Sequence, residues 1–462
     1  MTTNNPDRAT ARVALLHHTG GGNLGDDAIV ESIISNIRRR WPEATIAAIS
    51  MNPDDTETRH GIASYPMRRH TWALGYKPAV PRTNSTSGRG MLHWIRTTRS
   101  RLIRLARAVF SELAFLAGSG RRIKTFDVMI LGGGGQLTDR SGPWGFPYTI
   151  FTWFLLAKSA RLKCIVLNAG VGPLISPLSK FFITRALLVA DYVSFRDEES
   201  QALARKIGFA GSSHVFPDNV YGLEISAVCA AGPKRRDQPL VGLAPMDYPV
   251  DPPFDANKDK IIYEALVAKF AAFASLLSRR SYRLAVFGTD IGTDPAAIQD
   301  FRTKVEADYH IFTPQYEPIQ SLENVLLRVS TFDYVVTCRF HGVVFAHLLN
   351  KPVLAIAHHP KVMNLMNALE LSKYCVDIRT FDPRSVADTF ECLVNDRDEV
   401  KSRMASTLKN YKSRLKVQFD ELWPASFADC PWPRYRQGQA LGGNLVSGDG
   451  EDLPTHQRLK DP

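Results

Sequence analysis

Short apolar runs rich in Val and Ile alternate with amphipathic stretches along most of this chain, and turn residues separate the two. Strands that are apolar on both sides belong to parallel sheets covered on both faces. In the first half the pattern predicts strands at 12–18, 45–51, 127–131, 164–169, 192–195 and 214–216. Helices are expected at 28–41, 147–161, 177–190 and 198–208. A shift of composition at 227–238 (AVCAAGPKRRDQ) reads as a linker, after which the alternation restarts. The second set of strands falls at 240–244, 283–287, 310–312, 334–338, 353–357 and 374–378, with helices at 258–280, 295–308, 322–329, 343–349, 362–369 and 383–395. Such alternation predicts an α/β fold of two Rossmann-like, doubly wound domains facing a cleft. The domains are expected at 1–226 and 239–397, with a bracing helical segment at 398–424 returning to the first. From 425 to 462 Gly, Pro, Ser and charge predominate, and the tail reads as disordered.

Composition narrows the class. The 462 residues suit two or three domains, and 44% apolar with 22% charged residues is ordinary for a globular protein. No run of about 18 uncharged apolar residues occurs, so no membrane-spanning helix is expected. The N-terminus lacks the apolar core of a signal peptide. Six scattered cysteines without pairing spacing read as reduced, and together these features predict a cytoplasmic protein.

The net charge of +11 is concentrated in one place. Between Met67 and Lys124 thirteen basic residues face the single Glu112, a local net charge of +12. The rest of the chain is close to neutral, which argues against a general nucleic-acid surface. This insertion, at about 66–124, interrupts the first domain. Within it, 91–117 places Ile95, Leu102, Leu105, Val109, Leu113 and Leu116 near helical spacing with arginines opposite. Such a helix either lies on an anionic membrane surface or covers its own domain.

Four segments carry candidate chemistry. In Asp333–Lys361 an apolar strand ends in Arg339-Phe340-His341-Gly342 before an apolar helix. Ligands of open α/β sheets sit beyond the carboxyl ends of the strands. Arg339 and His341 would there present a fixed cation and a proton donor, a pairing suited to acid–base chemistry on an anion. The loop after the first strand, TGGGNLGDD, carries Gly21, Gly22, Asn23 and Gly25 at a helix start, where backbone N–H groups can approach an anion. Of the aspartates that follow, one is expected to cap the helix, while Asp26 either does so or faces the cleft as a base or hydroxyl acceptor. A second loop, LGGGGQLTD, has Gly133, Gly134 and Gly135 after a strand, a costly run best explained by the close approach of a ligand or backbone. Asp139 beyond it either orients a hydroxyl or caps a helix. Arg196, in VSFRDEES, stands at another strand end and would join Arg339 and Lys361 in a cationic cluster for phosphate and carboxylate. Adjacent side chains diverge on strands and helices, so the pairs His17-His18 and His358-His359 are expected to be poor metal ligands. No metal-binding motif, phosphate-binding P-loop or serine nucleophile elbow occurs.

Taken together, GGGNLGDDAI, ILGGGGQLTD, NAGVGP with VSFRDEES, and VVTCRFHGVVFAHLLNKPVLAIAHHPK resemble, in order, the motifs of the polysaccharide pyruvyl transferase family. The resemblance implies a GT-B-like fold and transfer of a pyruvyl group from phosphoenolpyruvate to sugar hydroxyls, with no metal or organic cofactor. It implies Arg339, Arg196 and Lys361 as donor-binding cations, His341 as the acid that protonates the enol carbon, and Asp26 or Asp139 at the acceptor hydroxyls. The acceptor would be a polysaccharide or its precursor, lipid-linked if the basic helix meets a membrane. A nucleotide-sugar glycosyltransferase and a non-catalytic anionic sugar-binding protein are the rival readings.

Overall fold

The computed structural model describes residues 11–69, 91–226, 229, 237–247, 256–309 and 315–427. Residues 70–90 of the insertion, most of the linker, the strand expected at 310–312 and the tail past 427 lie outside the described residues.

The first sheet contains β1 (Arg12–Leu16), β2 (Thr45–Ser50), β3 (Ala63–Pro66), β4 (Val128–Leu137), β5 (Lys163–Val171), β6 (Tyr192–Phe195) and β7 (His214–Val215), in the order β3-β2-β1-β4-β5-β6-β7. Its connecting helices are α1 (Leu24–Arg40), α2 (Pro53–His60), α3 (Met91–Ile123), α4 (Phe146–Ser159), α5 (Pro177–Val189) and α6 (Glu198–Lys206). The second sheet contains β8 (Leu240–Ala244), β9 (Arg283–Val286), β10 (Gln315–Tyr316), β11 (Tyr334–Thr337), β12 (Val353–Ala357) and β13 (Cys375–Asp377), in the order β10-β9-β8-β11-β12-β13. Around it lie α7 (Ala256–Arg279), α8 (Asp294–Tyr309), α9 (Leu322–Ser330), α10 (Phe340–Leu348), α11 (Pro360–Ala368) and α12 (Pro383–Asn395). Every pairing in both sheets is parallel. The strand order reverses beside β1 in the first sheet and beside β8 in the second. Crevices form at such switch points because neighbouring connections run to opposite faces of the sheet.

A final helix, α13 (Arg397–Phe427), ties the two halves together. Leu415, Phe419, Leu422 and Trp423 sink into a core shared by the α1 side of the first sheet and the second domain. Full burial of each such side chain contributes about 1.5–3 kcal/mol. Gln418, fully buried, donates to Asn168 (2.9 Å) and to the hydroxyl of Tyr192 (2.9 Å), and accepts from Asn168 (2.9 Å).

Three elements depart from expectation. The hydrophilic PDDTETRH forms α2, burying only Thr56 and His60, and β3 follows it. The four glycines, expected after a strand, lie within β4, where the pairing with β5 shifts register between Gly134 and Leu137. The stretch Lys260–Arg279 of α7 is long and apolar enough to span a membrane, yet Phe270, Phe273, Ala274 and Leu277 pack into the second core.

Candidate active site

The first glycine loop follows β1 at the switch point of its sheet. Asn23 caps α1, its side-chain oxygen accepting from the Gly25 amide at 3.0 Å. The same loop is joined to the second domain through backbone bonds. Leu24 N–H donates to Thr289 O (2.9 Å), and Ile291 N–H donates to Gly22 O (2.8 Å). The start of α1 is thereby fixed against the connection from β9 to α8.

Across this seam, β11 gives way to α10, with Arg339 at its N-cap and His341 in its first turn. The imidazole lies directly on Gly25: a Cβ there would fall 1.9 Å from the ring. Gly25 therefore serves the approach of a side chain from the other domain, not of an anion. His341 is buried, and its Nε2 has no hydrogen-bond partner. Burial pushes its pKa down to about 4. Asp218 and Asp26 oppose that shift, while Arg196 and Lys361 add to it.

Two cations gather beside it. Arg196, between β6 and α6, stacks its guanidinium 4.4 Å from the centre of the Phe340 ring, with Asp218 at 3.6 Å. It lies flat on Gly170, where a Cβ would come within 2.6 Å. The Lys361 ammonium, from the first turn of α11, is 5.9 Å from the same ring. Burial, and then the Arg196 charge, pull Lys361 down to about 8, with Arg140 and Arg339 contributing. An ammonium crowded by neighbouring positive charge in this way is relieved by an anion placed beside it. Arg339 is engaged elsewhere: it donates through Nε to Asp294 Oδ1 (3.0 Å) and through Nη2 to that oxygen and to Thr293 Oγ1 (2.8 Å).

The remaining sequence candidates separate by surroundings. Gly21 and Gly135 are exposed, and a Cβ at 135 would meet nothing within 4 Å. Gly22, with φ +86°, makes the turn into α1. Gly133 approaches the Asn219 amide, and Gly134 approaches His17, His18 and Asp26. Asp139 accepts from the amides of Ile175 and Ser176, both at 2.8 Å, where the chain enters α5. Asp27 sits 3.6 Å from both Arg59 and His60.

The expected divergence of His17 and His18 is overturned. β1 ends at Leu16, so the pair lies past the regular strand, and the rings stack with centroids 4.6 Å apart. His18 Nε2 is 2.9 Å from Asp26 Oδ2. Burial alone would raise the Asp26 carboxyl, but the His18 charge and hydrogen bond, with His17 and His341, hold it well below the usual carboxylate range. That these histidines join Asp26, and the part of Phe340, Asp218 and Arg140, is what the sequence reading missed. The tandem histidines immediately before TGGGN were its one visible signal.

A sequence model of the polysaccharide pyruvyl transferase family matches residues 23–360, from the α1 cap to the start of α11. The chain belongs to the polysaccharide pyruvyl transferase family. No curated protein sequence matches it. Among solved structures, a glycosyltransferase from Rickettsia africae ESF-5 is similar at 11% identity and a TM-score of 0.53, over 90% of this chain and 98% of that one. A UDP-GlcNAc 2-epimerase from Neisseria meningitidis bound to UDP-GlcNAc is similar at 11% identity and a TM-score of 0.50, over 89% of this chain and 99% of that one. At such identities the likeness concerns the fold alone. It is the GT-B arrangement of two Rossmann-like domains, into which this pyruvyl transferase family member places the residues above.

Proposed function

We propose that the protein transfers the pyruvyl group of phosphoenolpyruvate to two hydroxyls of a sugar, in a polysaccharide or its lipid-linked precursor, forming a pyruvate ketal and releasing phosphate at the cytoplasmic side of a membrane. One observation carries the reading. Arg196 and Lys361 flank the Phe340 ring beside the buried, unpaired Nε2 of His341. Phosphoenolpyruvate brings a phosphate and a carboxylate, and a pair of semi-buried cations suits that charge.

The chemistry follows from where protons go. A protonated His341 gives its proton to the methylene carbon, making a methyl group and an oxocarbenium centre at C2. The first sugar hydroxyl adds to C2 and its proton returns to the imidazole. The C2–O bond to phosphate then breaks, phosphate departing with a proton passed back from His341. The second hydroxyl adds to the regenerated cation and its proton recharges the imidazole for the next cycle. Two hydroxyl protons are lost, one is gained by the methyl carbon and one by phosphate, so the sequence balances. A carboxylate held as low as Asp26 is a weak base, so its part is to orient the hydroxyl rather than to deprotonate it.

A lipid-linked acceptor draws support from the surface. In α3 the described side chains from 106 to 123 bury only Ser119 and Ile123. Phe110 (75% exposed), Leu113, Trp144, Ile175 (79% exposed) and Phe181 are left bare. The rings of Trp144, just before α4, and of Phe181, on α5, both approach the buried Phe182. This exposed apolar set adjoins the most basic segment of the chain. We assign it to an anionic lipid surface, since exposed apolar side chains on a basic segment insert at headgroup depth.

Incubation of the protein with phosphoenolpyruvate and acceptor glycans tests the reaction. The expected result is phosphate release matched by a pyruvate adduct in the glycan mass spectrum, lost in His341→Gln. Sugar transfer from a nucleotide sugar, with no adduct, would overturn it.

A further inference from the structure

We propose that His17, His18 and Asp26 form a binding site for a divalent first-row transition-metal ion of the zinc class, at the carboxyl end of β1. The three residues each offer a ligand atom, and these atoms all lie within 4.8 Å of one another. Their surroundings are those of a built site. His17 is fully buried, and neither of its ring nitrogens has a hydrogen-bond partner. His18 Nδ1 is likewise buried and unpaired, while its Nε2 meets Asp26 Oδ2 at 2.9 Å. Buried ring nitrogens without partners are costly to leave empty, and a metal ion would engage one nitrogen of each ring.

Gly134 supplies an independent observation. Its φ is +73°, and a Cβ added there would fall 2.9 Å from His18 Cε1, 3.2 Å from His17 Nε2 and 3.4 Å from Asp26 Oδ1. All three side chains thus converge on the space that any larger residue at 134 would fill. Donor type selects the ion. Two imidazoles and one carboxylate suit zinc, iron, cobalt or manganese, whereas calcium and magnesium prefer all-oxygen shells. Ligand bonds of about 2.0–2.2 Å need the donors closed to roughly 3.5 Å, a matter of small side-chain rotations. Three protein ligands leave a coordination position for an oxygen ligand such as a sugar hydroxyl or a phosphate. The inference rests on the donor set and its convergence at Gly134, and holds whichever anion the neighbouring cations bind.

The test uses the full chain, stripped with chelator, dialysed, and titrated calorimetrically with Zn²⁺ and by visible absorption with Co²⁺. One ion per chain is expected, with a ligand-field spectrum of low coordination number. His17→Gln should weaken binding by at least about 100-fold and bleach the cobalt bands, while His214→Gln, far along the chain in β7, should change neither. Asp26→Asn reads the same loss should His17→Gln fail to fold. Stoichiometry near zero in the parent protein, or equal affinity and spectra in the parent, His17→Gln and Asp26→Asn proteins, would overturn the site.

Discussion

A single methyl group at position 25 would occupy the volume of the His341 ring, the tightest side-chain approach found at any described glycine. Gly25→Ala should therefore expel the imidazole from its seat without unfolding either sheet. The expected result is a fall in kcat of about 100-fold or more, the scale of losing a positioned general acid, with circular dichroism unchanged. An unaltered rate would mean that His341 is not the acid. The charge state of that imidazole gives a second expectation. Burial, chiefly, holds His341 near pKa 4, so it is neutral at pH 7 in the free protein. A doubly anionic donor among Arg196 and Lys361 raises that pKa, and binding at neutral pH must then take up a proton. Calorimetry of phosphoenolpyruvate binding in buffers of different ionisation enthalpy should show this uptake, absent in His341→Gln. Affinity should fall as pH rises through the pKa of the complex. Binding without proton exchange would exclude the acid role.

Among elements, α2 shows why polar sequences can still fold into place. PDDTETRH has no apolar stripe, yet Asn52 caps it, Pro53 starts it, and Gly61 at φ +60° ends it. Its His60 faces Asp27 at 3.6 Å and Glu31 at 3.3 Å, both on α1. Burial works against the charged ring, but these two carboxylates outweigh it and raise its pKa from 6.5 to about 9. The sign follows from linkage. A folded pKa above the unfolded one gives stability that is fully present below about pH 6.5 and lost as pH rises through about 9. Its size is on the order of 1–3 kcal/mol. Denaturant titrations across that window should show the decline in the parent protein and a flatter profile in His60→Gln. Equal slopes would place the charge elsewhere. The bulged β4 makes a related point: its glycines are read in the sequence as the close approach of a ligand or backbone, and Gly132 to Gly134 pack closely against side chains, Gly133 also against the Leu167 carbonyl, while of the four only Gly135 opens to solvent.

At the scale of the molecule, the exposed Phe110 and Leu113 lie within the segment that carries the chain's excess of positive charge. Phe110→Asp with Phe181→Asp should abolish co-sedimentation with vesicles containing anionic lipid, while binding to neutral vesicles is weak for both proteins. Turnover of a soluble acceptor should be preserved, because neither residue touches the cleft. Retained pelleting by the double variant would remove the membrane assignment, and a shift to a smaller species in light scattering would give the surface to a second copy of the chain instead. The cleft itself depends on assembly from both halves. Backbone bonds from Leu24 and Ile291, and the shared core under α13, set the distance between Gly25 and His341.

The order of strands and helices was legible in the sequence because buried parallel strands leave an unbroken apolar signature. Tyr192–Phe195, Leu240–Ala244 and Val353–Ala357 coincide with their expected bounds to the residue. The glycine motifs and the Arg-x-His pair also announced a polar cleft and the family. What the linear chain does not encode is which partner each side chain meets. Arg339 turns to Asp294, forty-five positions earlier in the chain. His17 and His18 stack because the strand stops at Leu16, and Gly25 exists for a ring supplied by the other domain. Such pairings depend on distances between distant segments, and only the packed tertiary structure fixes those.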